Sequence, residues 1–386
     1  MRKLLLLFIP LLAISCNSPE NEDVFQGKLE EFLGQELSFE RDTVTGFMNF
    51  YSTVEYQGKE ALYTFANGQF QFFDTKTGRK TGSFQIPKEG PLALKGGVFD
   101  GAALSNEKII AYNEFGHVNL YEQEAVQKSF QLPMDKIGLE KSIYFRNQRM
   151  DLIQISNNSF EILNDPFDML SNMKDNPGFD LNFGAWVAQF DGDGNWLCIS
   201  DFRAPYDESF QNTFSIGALT RMKDSESHST WIQFPFSDSL YQVKECLIVN
   251  RLRLESKTNL NFKPEERTED GGITTWKRPD DGSINQHLVR DSQTGLAIRV
   301  VLLKEKDGNP DETDQRKKIY SKEATYLFLI YDPDWNLLAE LEMVYPIRSR
   351  FENLISTKEG LFINKPEQAS EDEYEFYKID LSRFAD

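Results

Sequence analysis

Histidine and cysteine are the scarcest reactive residues of this 386-residue chain, with three of each. His117, His228 and His287 lie far apart in the sequence, and none has a second ligand residue at a metal-binding spacing. The Gly-x-Ser-x-Gly turn that presents a nucleophilic serine in many hydrolases does not occur. A carboxylate pair for glycoside hydrolysis cannot be chosen among 61 acidic residues, because the separation that matters is spatial. The sequence therefore names no catalytic residue.

Basic residues are in deficit, with 42 lysines and arginines against 61 acids and a formal net charge of −19. A chain of this charge is repelled by nucleic acid and by anionic lipid surfaces. We therefore expect no nucleic-acid partner and no membrane contact through the folded surface.

Helical patterns are also sparse. Only residues 29–37 and 165–173 suggest short helices, and long segments with a 3.6-residue period and capping residues are missing. Apolar residues make up 40% of the chain and aromatic residues 13%, which is enough for a sizeable core. The core is therefore expected to be built from strands.

One short strand pattern recurs along the chain. SFQIP at 83–87 returns as SFQLP at 129–133 and as WIQFP at 231–235. Each copy alternates apolar and polar residues and ends at a proline, as a strand does at its terminus. The recurrence indicates a repeat of about 40 to 50 residues.

A turn pattern recurs as well. DTKTG at 74–78 is matched by DSQTG at 291–295, and related turns occupy residues 190–195 and 331–336. The aspartate can accept backbone hydrogen bonds and the glycine can adopt a positive φ. All four stretches are predicted to be hairpin turns.

These patterns predict an all-β fold, a β-propeller of six or seven four-stranded blades. Blade ends are expected near residues 87, 133, 182, 235, 304 and 343, with residues 250–285 as an inserted loop or elongated hairpin. A strand near residues 37–44 would close the ring by pairing with C-terminal strands. A pair of β-sandwiches is the alternative fold.

The N-terminus carries an export signal. Residues 1–15 combine a cationic start with a short apolar segment, and Leu12-Ala13-Ile14-Ser15-Cys16 resembles the bacterial lipoprotein signal. The resemblance implies that Cys16 carries a diacylglycerol group and a fatty acyl chain, a lasting anchor. No other cofactor is expected. The alternative is ordinary secretory cleavage near Ser15.

Residues 16–27 then form an acidic tether, and residues 28–386 form a single propeller domain. The tether is similar to the surface-export signals of Bacteroidetes lipoproteins, although a plain solvated tether explains it nearly as well. The lipoprotein start, the chain length and KEGP at 88–91 together resemble the Bacteroidetes family called domain of unknown function 4221. The resemblance implies a propeller and an outer-membrane lipoprotein, facing the periplasm or the cell surface, and it implies no activity.

Two side chains are candidates for ligand binding. Glu89 would lie in a loop at the channel mouth, although its Gly-Pro neighbours suit a turn between blades. Trp276 lies in the polar insertion, whereas the other four tryptophans are expected to pack between sheets.

Asp191, Asp193 and Asn195 have the alternating oxygens of a calcium loop. Trp196 replaces the turn glycine of that loop, so an EF-hand is excluded and a plain hairpin turn is favoured over a looser metal site.

Cys198 and Cys246 each lie in an apolar run. A disulfide between them is conceivable in an exported protein, but two buried thiols are favoured because free cysteine is among the most buried residue types.

The function expected from these features is that of a lipid-anchored, non-catalytic propeller of the cell envelope that binds an envelope protein, a glycan or a peptide. A hydrolase or lyase acting on polysaccharide at one propeller face is the alternative.

Overall fold

The computed structural model describes residues 24–41, 50–98, 100–104, 108–113, 115–122, 125–134, 152–156, 158–164, 181–211, 213, 219–224, 227–270, 273–306, 323–346, 354–366, 368–370 and 372–385. Strands dominate, with single turns of 3-10 helix at Leu29–Phe32, Glu208–Phe210 and Ser382–Phe384. Within these residues, no helix has the length and apolar character needed to cross a bilayer.

The described residues form six blades, each built on four antiparallel strands, and the sheet of blade 5 has a fifth strand. The strands of the first half of the chain are β1 (Phe25–Lys28) and β2 (Leu33–Glu40); β3 (Phe50–Tyr56), β4 (Lys59–Ala66), β5 (Gln69–Asp74) and β6 (Lys80–Gln85) of blade 1; β7 (Asp100–Leu104), β8 (Lys108–Tyr112), β9 (His117–Glu122) and β10 (Ala125–Gln131) of blade 2; and β11 (Leu152–Ser156), β12 (Ser159–Leu163), β13 (Val187–Asp191) and β14 (Trp196–Ile199) of blade 3.

The second half follows the same plan, with a two-stranded hairpin between blades 4 and 5. Its strands are β15 (Thr220–Asp224), β16 (Ser229–Gln233), β17 (Ser239–Lys244) and β18 (Leu247–Arg253) of blade 4; β19 (Glu266–Asp270) and β20 (Ile273–Lys277) of the hairpin; β21 (Ile284–Arg290), β22 (Ala297–Lys306), β23 (Glu323–Tyr331) and β24 (Leu337–Pro346) of blade 5; and β25 (Leu354–Thr357), β26 (Gly360–Asn364) and β27 (Glu373–Ile379) of blade 6.

The N-terminal segment closes the ring through two blades. β2 pairs antiparallel with β27 and is the outermost strand of blade 6, while β1 adds a parallel fifth strand to β24 of blade 5. The predicted closure is confirmed, with a strand that begins at Leu33. The propeller itself starts at Phe25, inside the predicted tether, because the Phe25 ring packs against Phe32 and Phe384.

The first strand of each blade lies innermost and faces the central channel. β3 contacts β7, β7 contacts β11, β15 contacts β21, β21 contacts β25, and β25 contacts β3. Between blades 3 and 4, Lys223 Nζ on β15 donates to the Gln154 carbonyl on β11 over 2.7 Å and so links the two innermost strands. The innermost strands therefore form a ring with a channel along its axis.

Six apolar clusters lie between consecutive blades. Among the described residues, each cluster takes its buried side chains mainly from two neighbouring sheets, as Phe73 of blade 1 packs with Phe39 and Phe376 of blade 6. Inner strands such as β5 are buried on both faces, whereas outermost strands such as β6 alternate between half-buried and exposed residues. Packing between blades thus explains why the sequences of inner strands are runs of apolar residues. Trp186 and Trp231 are buried, and Trp196 and Trp335 pack against clusters, as predicted.

The all-β propeller is confirmed, with six blades, and all four predicted turns join consecutive strands. The predicted repeat places one strand motif and several blade ends wrongly. SFQIP and SFQLP lie at the ends of the outermost strands β6 and β10, but WIQFP lies at the end of β16, the second strand of blade 4. Pro235 therefore does not end a blade, and blade 4 continues to Arg253. Blades 3 and 5 likewise extend beyond the ends expected near residues 182 and 304.

Two local predictions also change. Residues 29–32 form a 3-10 turn, but residues 33–37 belong to β2, because they pair with β27. The predicted helix at 165–173 lies outside the described residues. The insertion at 250–285 divides into the end of β18, a loop and the β19–β20 hairpin.

The prediction of two buried thiols is wrong. Cys198 and Cys246 form a disulfide, with their Cα atoms 5.9 Å apart. Cys198 is half-buried on the outermost strand of blade 3, and Cys246 lies in the turn between β17 and β18 with a φ of 59°. Sequence composition favoured burial, but the packing of blade 3 against blade 4 brings the two sulfurs together.

Candidate binding site in the central channel

A cavity of about 710 Å³ occupies the central channel. Five of the six innermost strands line it, namely β3, β11, β15, β21 and β25, together with the turns that follow β21 and β23. Its described lining residues are Ser52, Ile153, Arg221, Met222, Lys223, Asp224, His287, Leu288, Val289, Arg290, Ser292, Gly295, Pro333, Leu354, Ile355 and Ser356. The cavity is thus built from residues that are far apart in the chain.

Blade 4 contributes two cations from one strand. Arg221 and Lys223 are two residues apart on β15, so their side chains leave the same face of the strand. The Arg221 side chain is only 6% exposed, and its guanidinium lies 4.0 Å from Glu161 Oε1 of β12. Glu161 also accepts a hydrogen bond from Gln189 Nε2 over 3.0 Å. A buried ion pair between blades 3 and 4 therefore holds Arg221 in place.

Lys223 has a different environment from Arg221. Its ammonium donates to a backbone carbonyl, that of Gln154. Burial lowers the pKa of Lys223, and the nearby Glu161 carboxylate opposes that shift.

Blade 5 supplies a third cation at the end of β21. Arg290 Nη1 donates to the Gly295 carbonyl over 2.8 Å, and its guanidinium carbon lies 5.8 Å from the centre of the Trp335 ring. The turn after Arg290 is the predicted DSQTG turn, in which the Gly295 N–H donates to the Asp291 carbonyl over 2.8 Å. This turn therefore holds Arg290 at the cavity.

The same turn joins blades 5 and 6. The Ser292 backbone N–H donates to Ser356 Oγ over 2.8 Å, and the two hydroxyl oxygens are also 2.8 Å apart. Both serines line the cavity, so hydroxyl groups border it beside the cations.

Aliphatic side chains complete the wall. Six of the lining residues are aliphatic or methionine: Ile153, Met222, Leu288, Val289, Leu354 and Ile355. The described lining contains no phenylalanine, tyrosine or tryptophan. The cavity therefore combines an apolar wall with polar groups, as ligand sites commonly do.

The charge of the lining is opposite to that of the chain. Three cations, Arg221, Lys223 and Arg290, face a single described carboxylate, that of Asp224. Ser227 donates to the Asp224 carboxylate from its hydroxyl over 2.7 Å and from its backbone N–H over 3.3 Å. Asp224 is thus engaged in its own turn.

A buried carboxyl group with a shifted pKa lies on blade 2, outside the described lining of the cavity. Asp100 is buried at the start of β7 and accepts hydrogen bonds from the Gly101 N–H over 2.7 Å and the Tyr112 hydroxyl over 3.3 Å. Burial raises the pKa of Asp100 to about 7, and the two hydrogen bonds oppose the shift. Burial also raises the pKa of Tyr63, with a further contribution from the Asp100 charge.

The predicted calcium residues form a hairpin turn outside the cavity. Asp191 Oδ1 accepts hydrogen bonds from the backbone N–H groups of Asp193 and Asn195, each over 2.9 Å. These bonds and the nearby Lys128 charge lower the pKa of Asp191, although its slight burial acts in the opposite direction. The Asp193 carboxylate forms an ion pair with Lys128. The oxygens are thus used within the turn and by a neighbouring strand.

The other candidates also lie away from the cavity. Glu89 is exposed in the connection between β6 and β7, next to Gly90 at a φ of 87°. Trp276 is half-buried on β20 of the hairpin, opposite Arg267. Cys16 lies outside the described residues. In the described part of the chain, no group of three or more histidine, cysteine or acidic residues is arranged to hold a metal ion.

Sequence reasoning missed the cations of the channel. Arg221 and Lys223 lie on one strand and Arg290 on another, and no motif in this acidic chain marks them. One signal was available, because Arg290 directly precedes the recognised DSQTG turn and so had to lie at the end of a strand.

Solved structures with a similar fold exist. A member of the DUF4221 family from Bacteroides vulgatus ATCC 8482 superposes with a TM-score of 0.69, at 14% sequence identity, over 90% of this chain and 97% of that one. The chain has the fold of the domain of unknown function 4221 family. The resemblance noted from the sequence is confirmed at the level of the fold.

A second structure with this fold is a protein from Bacteroides fragilis NCTC 9343 that is inferred to be exported. It has a TM-score of 0.54 at 10% identity, over 92% of this chain and 99% of that one. No protein-family model and no curated protein matches the chain.

Proposed function

We propose that this protein is a lipid-anchored propeller of the cell envelope that binds a ligand in its central channel and does not catalyse a reaction. The cavity carries the proposal. Its volume of about 710 Å³ falls within the range of about 300 to 1,000 Å³ that is typical of ligand sites. Strands of five blades build its wall, so a rigid scaffold positions the residues that would contact a ligand.

The envelope location rests on three observations. Residues 1–15 have the pattern of an export signal that ends before Cys16. A protein of the same fold is inferred to be exported. The disulfide between Cys198 and Cys246 suits an oxidising compartment outside the cytoplasm. An outer-membrane lipoprotein that faces the periplasm or the cell surface fits all three.

Binding is better supported than hydrolysis of polysaccharide. Glycoside hydrolysis commonly needs two carboxyl groups that flank the scissile bond. Among the described lining residues Asp224 is the single acid, and it is held by Ser227. An envelope protein, a glycan or a peptide is the class of partner we propose.

Native mass spectrometry of the full-length lipoprotein, extracted from its own envelope, tests the proposal. Ser292 is exposed at the cavity, so Ser292→Trp places a bulky ring there. Lys76→Trp is the control, because Lys76 is exposed in the DTKTG turn of blade 1 and does not line the cavity. We expect a bound mass in the wild type and in Lys76→Trp that is lost in Ser292→Trp. Absence of any bound mass, or one that Ser292→Trp leaves unchanged, contradicts the proposal.

A further inference from the structure

We infer that the ligand of the channel cavity carries a carboxylate on an aliphatic body, as does the C-terminus of an apolar peptide. The inference rests on the proposed function, since it names the chemical class for the same cavity. The charge of the cavity lining is the first observation. In a chain with 61 acids and 42 bases, the described lining of the cavity reverses the balance, with three cations and one acid.

The charges of the lining do not all cancel one another. Arg221 is opposed by Glu161, which lies behind it, so this pair is close to neutral. Lys223 and Arg290 have no carboxylate within 4.0 Å among the described residues, and they donate to the carbonyls of Gln154 and Gly295. Asp224 is the one acid among the described lining residues, and Glu161 lies behind the lining near both Arg221 and Lys223. Two cations of the lining thus lack a direct carboxylate partner among the described residues, which favours an anionic group on the ligand.

Donor groups remain for such a carboxylate. An ammonium has three N–H donors and a guanidinium has five, and Lys223 and Arg290 each donate one hydrogen bond to the described part of the protein. The guanidinium fork matches the two oxygens of a carboxylate, and a hydrogen bond between charged groups is stronger than a neutral one. The hydroxyl groups of Ser292 and Ser356 lie on the same lining.

The apolar wall of the cavity indicates the chemistry of the rest of the ligand. The six aliphatic and methionine side chains of the lining favour an aliphatic body. The described lining offers no aromatic face for a planar ring or a sugar to stack on. A carboxylate with an aliphatic body fits both parts of the site, and it can come from a peptide C-terminus or from a free aliphatic acid.

Isothermal titration calorimetry on the full-length protein tests this inference with two matched pairs of probes. N-acetyl-leucyl-leucine is compared with its C-terminal amide, and hexanoate is compared with hexanamide. Each pair keeps the shape and removes the charge. We expect the acids to bind at least about tenfold more tightly than the amides, with an affinity that falls as salt is added. The peptide pair tests a peptide C-terminus as the source of the carboxylate, and the hexanoate pair tests a free aliphatic acid.

Charge variants identify the groups that bind the carboxylate. Lys223→Gln and Arg290→Gln are expected to weaken binding of the acid about tenfold and to leave the amide unchanged. Lys244→Gln is the control, because Lys244 is exposed on the same blade and does not line the cavity. Arg290 also holds its turn, so Lys223→Gln provides the test if Arg290→Gln fails to fold.

The outcomes separate the two proposals. Acid and amide that bind equally, or an acid that binds equally to wild type and Lys223→Gln, overturn the carboxylate inference. So does failure of both acids to bind. In each case a bound mass that Ser292→Trp abolishes still supports the proposed function. A bound mass that is unchanged in Ser292→Trp overturns the proposed function itself.

Discussion

Cys198 and Cys246 form a disulfide between the outermost strand of blade 3 and the outer hairpin of blade 4. The bond spans 48 residues of sequence and ties together two blades whose innermost strands are joined by Lys223 and Gln154. It therefore adds an outer covalent link to a pair of blades that Lys223 and Gln154 also join on the channel side.

Removal of the disulfide is expected to lower the free energy of unfolding. For a closed loop of this length, the chain-entropy model gives about 4 kcal/mol. Chemical denaturation of Cys198→Ser, Cys246→Ser and the double variant measures the loss. The double variant should be no less stable than either single variant, and addition of a thiol reductant should affect the wild type alone. Single and double variants as stable as the wild type would contradict the bond.

The two glycines that end the DTKTG and DSQTG turns are expected to respond differently to alanine. Gly78 and Gly295 have φ values of 69° and 74°, so alanine at either position costs about 1–2 kcal/mol. A Cβ at Gly78 would also overlap the Ser38 carbonyl of β2, whereas the nearest atom at Gly295 is 3.9 Å away. Gly78→Ala should therefore cost about 3 kcal/mol or more. Equal losses in urea unfolding of the two variants would show that the turn of blade 1 does not pack against the closing strand.

Asp100 is expected to make the protein less stable as the pH rises. Its pKa is raised to about 7 in the folded state, above the usual value of 3.8. Below pH 4 the group is protonated whether the chain is folded or not, so it has no effect. Between pH 4 and 7 the unfolded chain releases the proton first, and folding loses about 1.4 kcal/mol per pH unit from this group. Above pH 7 the loss is constant.

Asp100→Asn isolates this effect, because the amide oxygen can still accept from the Gly101 N–H and the amide nitrogen can donate to the Tyr112 hydroxyl in place of the second carboxylate oxygen. The variant should be more stable than the wild type at pH 8, and the difference should vanish as the pH falls to 4. Unfolding in urea at several pH values measures it. A difference that is the same at pH 4 and pH 8 would mean that Asp100 does not titrate as described.

Cys16→Ala is expected to release the protein from the membrane fraction. The diacylglycerol and acyl groups proposed for Cys16 supply the anchor, and the acidic chain has no other attraction for an anionic lipid surface. Fractionation of cells that express the full-length chain measures the release. Cys198→Ser is the matched control and should stay with the membrane. Membrane association of Cys16→Ala would refute the lipoprotein proposal.

The fold was largely predictable from local patterns, and the errors of that prediction have a physical origin. The turns at 74–78 and 291–295 were recognised because aspartate and glycine have specific roles in a turn. WIQFP was assigned to the wrong strand because a pattern of alternation and proline fits any strand end, while the position of a strand within a blade depends on contacts with its neighbours. The disulfide depends on the same inter-blade packing, which sequence spacing does not reveal.

The candidate site was much less predictable than the fold. Arg221, Lys223 and Arg290 come from two blades, and Ser356 comes from a third. Their convergence follows from the closure of the ring, and a strand carrying one or two basic residues looks the same in sequence whether it faces the channel or solvent. Glu89 and Asp191 drew attention because they stand in conspicuous turns, yet those turns lie on the outside of the channel.

The most direct test of the account is an experimental structure of the full-length protein, extracted from its native envelope without unfolding. We predict a bound ligand in the central cavity, with a carboxylate in contact with Lys223 and Arg290 and its aliphatic part against Met222 and Leu288. A cavity that holds only water, or a ligand bound elsewhere on the propeller, would contradict the claim that the channel is the binding site.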